Sequence, residues 1–247
     1  MLIKNNLVLN NNKYIKQNVI LSYSQMKNPS NLEFQKRFDS IAEDYEEISN
    51  QYTIERRIES FKKDSNGLVL EVGSGTGVVT EFVTCTVICT DISFKMCKQA
   101  KTKRPLVVCC DAEMLPFREN LFDTIISAEM IYYLENPEIF ISYSRKILKK
   151  NGKLLISMAN HDMAIVDKIR SLLRSMGLRR TYFNDGLKEF MRIEHLRSLL
   201  NKYNFKINSI EKKVIFPSRF LDKINRVLEK SPLNYFCIFI IIKAIAE

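Results

Sequence analysis

The chain has 247 residues, of which 46% are hydrophobic and 27% are charged, and its formal net charge is +10. That length can bury the core of one α/β domain with helical additions, and the hydrophobic content is ordinary for a soluble protein. The longest apolar stretch, Tyr235 to Ile242, is far short of the roughly 20 residues of a membrane-spanning helix, and MLIKNNLVLN lacks a secretory core, so we expect a cytoplasmic protein.

The cysteines do not form a metal-binding pattern. They lack the spacing of zinc ligands and have no histidine neighbours. We therefore expect buried, reduced thiols and no bound metal. The six residues are Cys85, Cys89, Cys97, Cys109, Cys110 and Cys237.

The positive charge is concentrated in residues 143–213. This segment holds 17 Lys and Arg residues against 6 Asp and Glu residues, a local excess of +11. Such a segment favours an anionic partner, either RNA or a membrane surface, and a solvated basic face without a partner is the open alternative.

The chain begins with an arm and a helical segment. Residues 1–31 are rich in Asn and Lys and are expected to form a poorly ordered arm, although LVL and NVIL could add short strands. Across residues 32–62, apolar residues such as Phe34, Phe38 and Tyr45 recur at steps of three and four, which predicts helix with one apolar face.

The stretch LVLEVGSGTGVV, residues 68–79, predicts a buried strand that runs into a glycine turn. Gly73, Gly75 and Gly77 are three of only seven glycines in the chain, and their lack of Cβ atoms lets a ligand approach the backbone closely. A dinucleotide fingerprint would need its third glycine at position 78, which is Val78, and a phosphate-binding loop would need a Gly-Lys-Ser/Thr ending, which is absent. Both phosphate-binding interpretations are therefore weakened. Glu71 interrupts the apolar run and therefore requires a polar partner.

An acidic residue follows the next predicted strand. Asp91 lies twenty positions after Glu71, at the end of the apolar run TVIC. In nucleotide-binding α/β units, an acid at this offset accepts hydrogen bonds from a ribose diol. A helix N-cap is the alternative role for Asp91.

Five motifs in order over residues 68–157 resemble class I S-adenosylmethionine-dependent methyltransferases of the type 11 domain. EVGSGTG resembles the family's first motif and TDISFKMCKQA its second, and CDAEMLPF, LFDTIIS and SRKILKKNGKLLIS resemble the later ones. In the last of these, Asn151-Gly152 stands where the family usually has Pro-Gly-Gly and supplies the positive-φ residue by other means. RFDSIAEDYEE resembles the segment that precedes the domain in the ubiquinone/menaquinone-biosynthesis branch.

The resemblance implies S-adenosyl-L-methionine as the cofactor. It implies that Asp111 accepts from the adenine amino group, that Ile92 packs on adenine, and that Tyr45 closes over the cofactor, with simple packing as the alternative for Tyr45. The residues assigned to the cofactor are Tyr45, Glu71, Gly73, Ser74, Gly75, Gly77, Asp91, Ile92, Asp111, Ala112 and Ser127.

Alternating strands and helices predict a doubly wound, mostly parallel α/β sheet with right-handed crossovers. The resemblance makes residues 32–247 a single Rossmann-like domain with seven strands in the order 3-2-1-4-5-7-6, strand 7 antiparallel. Ligands of such sheets bind at the carboxyl ends of the strands. The first five strands are predicted near residues 68–72, 86–91, 106–109, 122–127 and 153–158.

The alternation is interrupted at about residues 162–191. Residues 163–176 predict a basic amphipathic helix, which either packs as a lid on its own domain or lies on an anionic membrane. The elements predicted after it are a helix at 193–203, a strand at 204–216 that opens with Asn204 in place of the family's glycine, a helix at 219–230 and a closing strand at 234–242.

The acceptor side is assigned to residues beyond the fourth and fifth strands, namely Glu129, Tyr132, Tyr133, His161 and Asp162. A base is needed only if the acceptor must lose a proton, and His161 has the side chain whose pKa suits that task. A surface histidine without a role is the alternative.

Three functions remain open. The resemblance favours methyl transfer to a small-molecule or lipid-type acceptor. After the fourth strand the chain reads SAEM, which lacks the Asp/Asn-Pro-Pro-Tyr/Phe segment that holds nucleobase amines. A tRNA or other RNA methyltransferase is the alternative, and a non-catalytic cofactor-binding subunit of a partner is the third hypothesis.

Overall fold

A computed structural model describes residues 14–17, 20–23, 29–160 and 191–247 of the chain. The strands are Tyr14–Gln17 (β1), Ile20–Tyr23 (β2), Leu68–Val72 (β3), Thr86–Asp91 (β4), Leu106–Cys109 (β5), Phe122–Ala128 (β6), Leu148–Ala159 (β7), Phe205–Lys213 (β8) and Phe239–Ala246 (β9). The α-helices are Pro29–Ile41 (α1), Tyr45–Ile48 (α2), Gln51–Asp64 (α3), Phe94–Lys103 (α4), Pro137–Ile147 (α5), Ile193–Lys202 (α6) and Asp222–Leu228 (α7).

These strands form one sheet in the order β1-β2-β5-β4-β3-β6-β7-β9-β8. Strands β3 to β7 pair in parallel, whereas β9 is antiparallel to both of its neighbours, β7 and β8. Numbered from β3, the last seven strands stand in the order 3-2-1-4-5-7-6. The predicted fold class and strand order are therefore confirmed.

The amino-terminal part adds two strands beyond the predicted seven. β1 and β2 form an antiparallel pair, and β2 joins the sheet parallel to β5. β2 begins at Ile20, inside the NVIL stretch, where a short strand was the alternative to the expected poorly ordered arm. The rest of residues 1–28 lies outside the described part of the chain.

The crossover from β3 to β4 is built of turns, although a helix was expected there. Gly73, Gly75 and Gly77 all have positive φ, which no α-helix allows. The residues that follow include Val78 and Val79, whose β-branched side chains disfavour helix. The chain therefore reaches β4 without a regular helical layer above β3.

The closing strand also differs from the prediction, since β9 begins at Phe239 and not near residue 234. Residues Pro232–Phe236 form a 3-10 helix with the proline at its first turn. Proline has a fixed φ and no N–H for a sheet ladder, so it opens a helical turn more readily than a central strand.

Helices cover both faces of the sheet. In β3, Leu70 packs towards a cluster that includes Phe140 of α5 and Leu196 of α6, whereas Val69 packs towards Phe61 of α3 on the opposite face. This alternation along a single strand is what a sheet buried on both faces requires. Because β3 to β7 pair in parallel, their carboxyl ends lie at one edge of the sheet.

Two asparagines occupy turn positions where the family more often has glycine. Asn151 has φ of 63° and Asn204 has φ of 56°. Asparagine tolerates this left-handed conformation better than most residues. Asparagine can therefore take the place of glycine in these two turns, as the sequence indicated.

Candidate functional site

Three strand ends meet at the carboxyl edge of the sheet. Val72, the last residue of β3, lies opposite Thr90 of β4 on one side and Ser127 of β6 on the other. This register places the glycine turn directly beside Asp91. The segment after β6 begins at the same edge of the sheet as the glycine turn.

The glycine turn is a tight left-handed loop. A Cβ atom on Gly73 would lie 2.3 Å from Cγ of Met130, so the turn packs closely against the segment after β6. A Cβ on Gly75 would meet only the Tyr45 ring, at 3.7 Å from Cε1. Gly75 therefore borders open space, and Tyr45 is the side chain nearest to that space.

Asp91 holds the glycine turn from β4. Its Oδ2 atom accepts from the Gly75 backbone N–H at 2.8 Å, and its Oδ1 atom accepts from the Ser93 N–H at 2.9 Å. The N-cap of α4 is Ser93, which accepts from the Met96 N–H, so the alternative N-cap role of Asp91 is wrong. Burial raises the pKa of Asp91 to about 6.

Asp111 lies beyond β5, one residue after a backbone link to Asp91, since the Cys110 N–H donates to the Asp91 carbonyl at 3.0 Å. Its Oδ1 atom accepts from the Glu113 N–H at 2.9 Å, and its Oδ2 atom accepts from the side-chain amide of Asn31. Asp91 and Asp111 are thus brought to the same edge, as the sequence predicted.

Glu71 lies beneath the glycine turn and is 1% exposed. Its Oε2 atom accepts from the Thr80 hydroxyl at 2.5 Å and from the Cys89 thiol at 3.5 Å, which supplies the polar partner predicted from the sequence. Burial raises the pKa of Glu71 to about 7. The other oxygen, Oε1, has no hydrogen-bond partner within the described chain.

Two hydroxyls at this edge of the sheet share this lack of a partner. Oγ of Ser74, in the turn, and Oγ of Ser127, at the end of β6, are buried and make no hydrogen bond with described residues. Buried polar atoms are rarely left unpaired without a reason such as a ligand or an ordered water. Ile92 and Ala112 are half-buried next to the two aspartates.

The carboxylates of this edge also lack cationic partners. Among the residues that the structure describes, no ion pair includes Glu71, Asp91 or Asp111. S-adenosylmethionine carries donors on its adenine and ribose and positive charge on its sulfonium and ammonium groups. The open turn, the acceptor atoms and the uncompensated carboxylates fit such a ligand.

The acceptor side is organised around Glu129. Its Oε1 atom lies 3.1 Å from the Arg57 guanidinium and accepts from the Ser157 hydroxyl at 2.7 Å, and its Oε2 atom accepts from the Tyr132 hydroxyl at 2.7 Å. Glu129 has φ of 56°, an uncommon conformation for a non-glycine residue. The backbone is held there by the Glu129 N–H, which donates to the Ser157 carbonyl at 2.9 Å.

An aromatic wall stands next to this network. Tyr133 packs edge-on against Phe34 and Phe38 of α1, with ring centroids 5.6 and 5.3 Å apart. Burial raises the pKa of the Tyr133 phenol, so this hydroxyl stays protonated at neutral pH. His161 and Asp162, the other acceptor-side residues proposed from the sequence, lie outside the described residues.

Sequence reasoning missed three residues that complete the site. Asn31 and Asp39, both on α1, contact Asp111 and the Ser93 cap respectively, and Arg57 of α3 pairs with Glu129. Each lies far along the chain from its partner. Asp39 left a signal, because it stands in RFDSIAEDYEE, the segment that resembles the one preceding the domain, whereas Arg57 is marked only by the predicted helical segment 32–62.

The family model described as "methyltransferase domain" matches residues 70–156. An uncharacterized protein of Methanocaldococcus jannaschii is 26% identical over 193 residues, which cover 77% of this chain and 89% of that protein. A demethylmenaquinone methyltransferase of Renibacterium salmoninarum is 26% identical over 145 residues, which cover 51% of this chain and 61% of that enzyme. The chain spans between 35% and 61% of the length of the curated relatives that carry a named methyltransferase activity.

The fold is also found in solved structures. A SAM-dependent methyltransferase of Thermotoga maritima superposes with a TM-score of 0.68 at 18% identity and covers 86% of this chain and 99% of that chain. The domain match, the shared strand order and the motifs at the carboxyl edge lead to one conclusion. Residues 70–156 form a methyltransferase domain of the class I, S-adenosylmethionine-dependent family.

Proposed function

We propose that the chain transfers a methyl group from S-adenosylmethionine to a small-molecule or lipid-type acceptor. The observation that carries this proposal is the position of the bare Gly75 turn beside two buried carboxylates, Glu71 and Asp91, that have no cationic partner among the described residues. A buried carboxylate without a countercharge is costly, and a cationic ligand would remove that cost. The cofactor supplies an electrophilic methyl group on its sulfonium.

The chain itself positions the reactants and keeps water away. Methyl transfer is an in-line displacement, so most of the catalytic effect comes from orientation and desolvation. We assign Asp91 to the ribose hydroxyls, Asp111 to the adenine amine and Tyr45 to the cover over the turn. Helix α1 lies across this edge through Asn31, which supports a cofactor held in an enclosed site.

Glu129 has a positioning role in this proposal. Both of its oxygens already accept hydrogen bonds, and one of them lies 3.1 Å from the Arg57 guanidinium, so its carboxylate is engaged within the chain and not directed at an acceptor. It fixes Tyr132, and Tyr133 presents an aromatic face with Phe34 and Phe38. His161 and Asp162 remain the proposed candidates for a base.

An apolar acceptor fits the aromatic wall beside this network. Phe34 and Tyr133 would contact a ring or a chain better than a phosphate-rich backbone, because aromatic rings bury apolar area efficiently. The name of the Renibacterium relative, a demethylmenaquinone methyltransferase, also supports a lipid-type acceptor.

RNA is the second candidate, and it is favoured by the charge of +11 in residues 143–213, of which 161–190 lie outside the described residues.

Binding of S-adenosylhomocysteine tests the cofactor proposal. At 100 times its Kd the ligand adds about 2.7 kcal/mol, which should raise Tm by about 5 to 10 °C. Asp91→Ala should lose most of that rise. Asp123→Ala is the matched control, because Asp123 also accepts a backbone N–H, from Leu68 at 2.8 Å, but lies at the amino end of β6.

The two variants make the result interpretable. Asp123→Ala should keep the full ligand-induced rise even if its own Tm is lower. An equal rise in Asp91→Ala and wild type would show that Asp91 does not bind the cofactor, and the lack of any rise in wild type at millimolar ligand would refute the proposal.

Labelling with a methyl-labelled donor identifies the acceptor. Lipid extract, small metabolites and RNA are incubated separately with the chain, and incorporated label is measured in each. The proposal expects label in the lipid or metabolite fraction. Label confined to RNA, with binding that falls steeply as salt rises, would favour the RNA alternative. Cofactor binding without label in any fraction would favour a non-catalytic subunit.

A further inference from the structure

Large hydrophobic side chains are exposed together in the connection between β8 and β9. Of the twelve large hydrophobic residues that are exposed in the described chain, seven lie within residues 216–236. We call them the 216–236 surface. They are Phe216, Phe220, Ile224, Val227, Leu233, Tyr235 and Phe236, and the Phe220 side chain is fully exposed.

Helix α7 in this segment is turned with its polar face inward. Asn225 is fully buried, and its side chain accepts from the Phe216 N–H at 2.9 Å and donates to the Tyr52 hydroxyl of α3 at 3.0 Å. Asp222 also accepts from Tyr52, at 3.0 Å. Because the contacts with α3 are polar, the apolar face of α7 points outward.

The acidic groups of this segment are neutralised by arginines. Asp222 pairs with Arg226 at 2.7 Å, and Glu229 pairs with the buried Arg56 at 2.7 Å. Lys223 and Lys230 are exposed and form no ion pair with another described residue. The charge left at the 216–236 surface is therefore positive.

The 216–236 surface lies at the same edge of the sheet as the candidate site. Strand β8 runs in the direction of the parallel strands, since both β7 and β8 are antiparallel to β9. The segment that leaves the end of β8 thus emerges at the carboxyl edge. Asn160, the residue after β7, contacts the end of the β8–β9 connection, because the Asn160 backbone N–H donates to the Ile238 carbonyl at 2.9 Å.

We propose that the 216–236 surface docks the chain on an anionic lipid bilayer. Exposed aromatic and aliphatic side chains flanked by lysines suit the boundary between acyl chains and charged headgroups. A second copy of the chain fits less well, because an isologous contact would bring the unpaired lysines of both copies together. Docking does not depend on methyl transfer, but the delivery of an acceptor from the bilayer rests on the proposed function.

The absence of tryptophan from the sequence gives a direct probe of docking. Phe220→Trp places the single tryptophan of the variant within the 216–236 surface. With vesicles of phosphatidylcholine mixed with phosphatidylglycerol, its emission should shift to shorter wavelength. Phe82→Trp is the matched control, because Phe82 is also exposed, at 54%, but lies in the β3–β4 crossover, and its emission should not shift.

Sedimentation with the same vesicles measures the affinity. Replacement of Phe220, Ile224 and Val227 by serine should lower binding at least tenfold, from the loss of buried apolar area. Lys223→Gln and Lys230→Gln should each lower it about fivefold, with little effect on uncharged vesicles. Thermal unfolding of each variant checks that the fold is intact.

Three results would overturn the proposal: an unshifted Phe220→Trp emission, an equal shift in Phe82→Trp, or full binding by the serine variant. If the Phe220→Trp emission shifted with protein concentration in the absence of vesicles, the partner of the 216–236 surface would be a second copy of the chain and not a bilayer. Because S-adenosylhomocysteine binding is measured without lipid, failure of docking leaves the cofactor proposal standing, and the reverse also holds.

Discussion

The carboxyl edge of the sheet has two halves that handle buried charge differently. At the cofactor half, Glu71 and Asp91 are buried and form no ion pair with any residue that the structure describes. Burial raises the pKa of Glu71 to about 7 and that of Asp91 to about 6. At the acceptor half, Glu129 is paired with Arg57 and bonded to Ser157. Within the described residues, the acceptor half therefore has its own countercharge, whereas we propose that a positively charged ligand supplies the countercharge of the cofactor half.

This difference separates a scaffold from a binding site. A buried ion pair with all its hydrogen bonds made keeps one geometry, because breaking it exposes an uncompensated charge. Buried carboxylates without a countercharge store free energy that a cation can release on binding.

None of the helices in the described ranges is long and apolar enough to span a bilayer.

Removal of Arg57 should have the largest effect on stability. Arg57→Ala leaves the half-buried Glu129 without its cation and removes the guanidinium that lies 4.3 Å from the Phe239 ring. We expect a loss of about 3 to 5 kcal/mol in the free energy of unfolding, measured by urea denaturation. Arg197→Ala, at an exposed pair with Glu194, is the control and should cost less than about 1 kcal/mol.

A double variant sharpens this prediction. Arg57→Ala combined with Glu129→Gln should be more stable than the sum of the two single losses indicates, since the second change removes the stranded charge. Equal losses for Arg57→Ala and Arg197→Ala would contradict the view that the acceptor half is a completed buried pair.

Substitution of Glu71 should change how stability depends on pH. The folded pKa of about 7 lies above the ordinary 4.5, so the stabilising contribution is complete below pH 4.5 and is lost as the pH rises through 7. The free energy of unfolding of the wild type should therefore fall between pH 5 and pH 8 by about 3 kcal/mol at most relative to Glu71→Gln.

The control for this pH series is Glu55→Gln. Glu55 is a partly exposed residue of α3 that pairs with Arg219, and its substitution should leave the fall in stability between pH 5 and pH 8 as it is in the wild type. If Glu71→Gln and the wild type lost stability in parallel from pH 5 to pH 8, the cofactor half would not hold an uncompensated carboxylate.

The sequence predicted the sheet better than the connections. The strand runs at residues 68–72 and 86–91 were predicted with the bounds that the structure shows, because buried parallel strands are continuous apolar segments. The helix expected after the glycine turn is absent, since positive φ values and β-branched residues act against it. Pro232 likewise moved the start of the closing strand to Phe239.

The candidate site was predictable only where its residues follow strands. Gly75, Asp91 and Asp111 lie at strand ends, so the topology of a parallel sheet brings them together. Asn31, Asp39 and Arg57 come from helices whose packing on the edge depends on tertiary contacts that no local pattern encodes. The assignments of Tyr45 and Glu129 to roles in binding remain predictions.

Calorimetric titration of the intact chain with S-adenosylmethionine, in two buffers of different ionisation enthalpy, tests the central claim most directly. If the ligand supplies the charge that the cofactor half lacks, binding at pH 7 should release roughly half a proton, because Glu71 is near half-protonated there. The release should disappear in Glu71→Gln. Binding without proton release, or equal release in Glu71→Gln and wild type, would contradict the account.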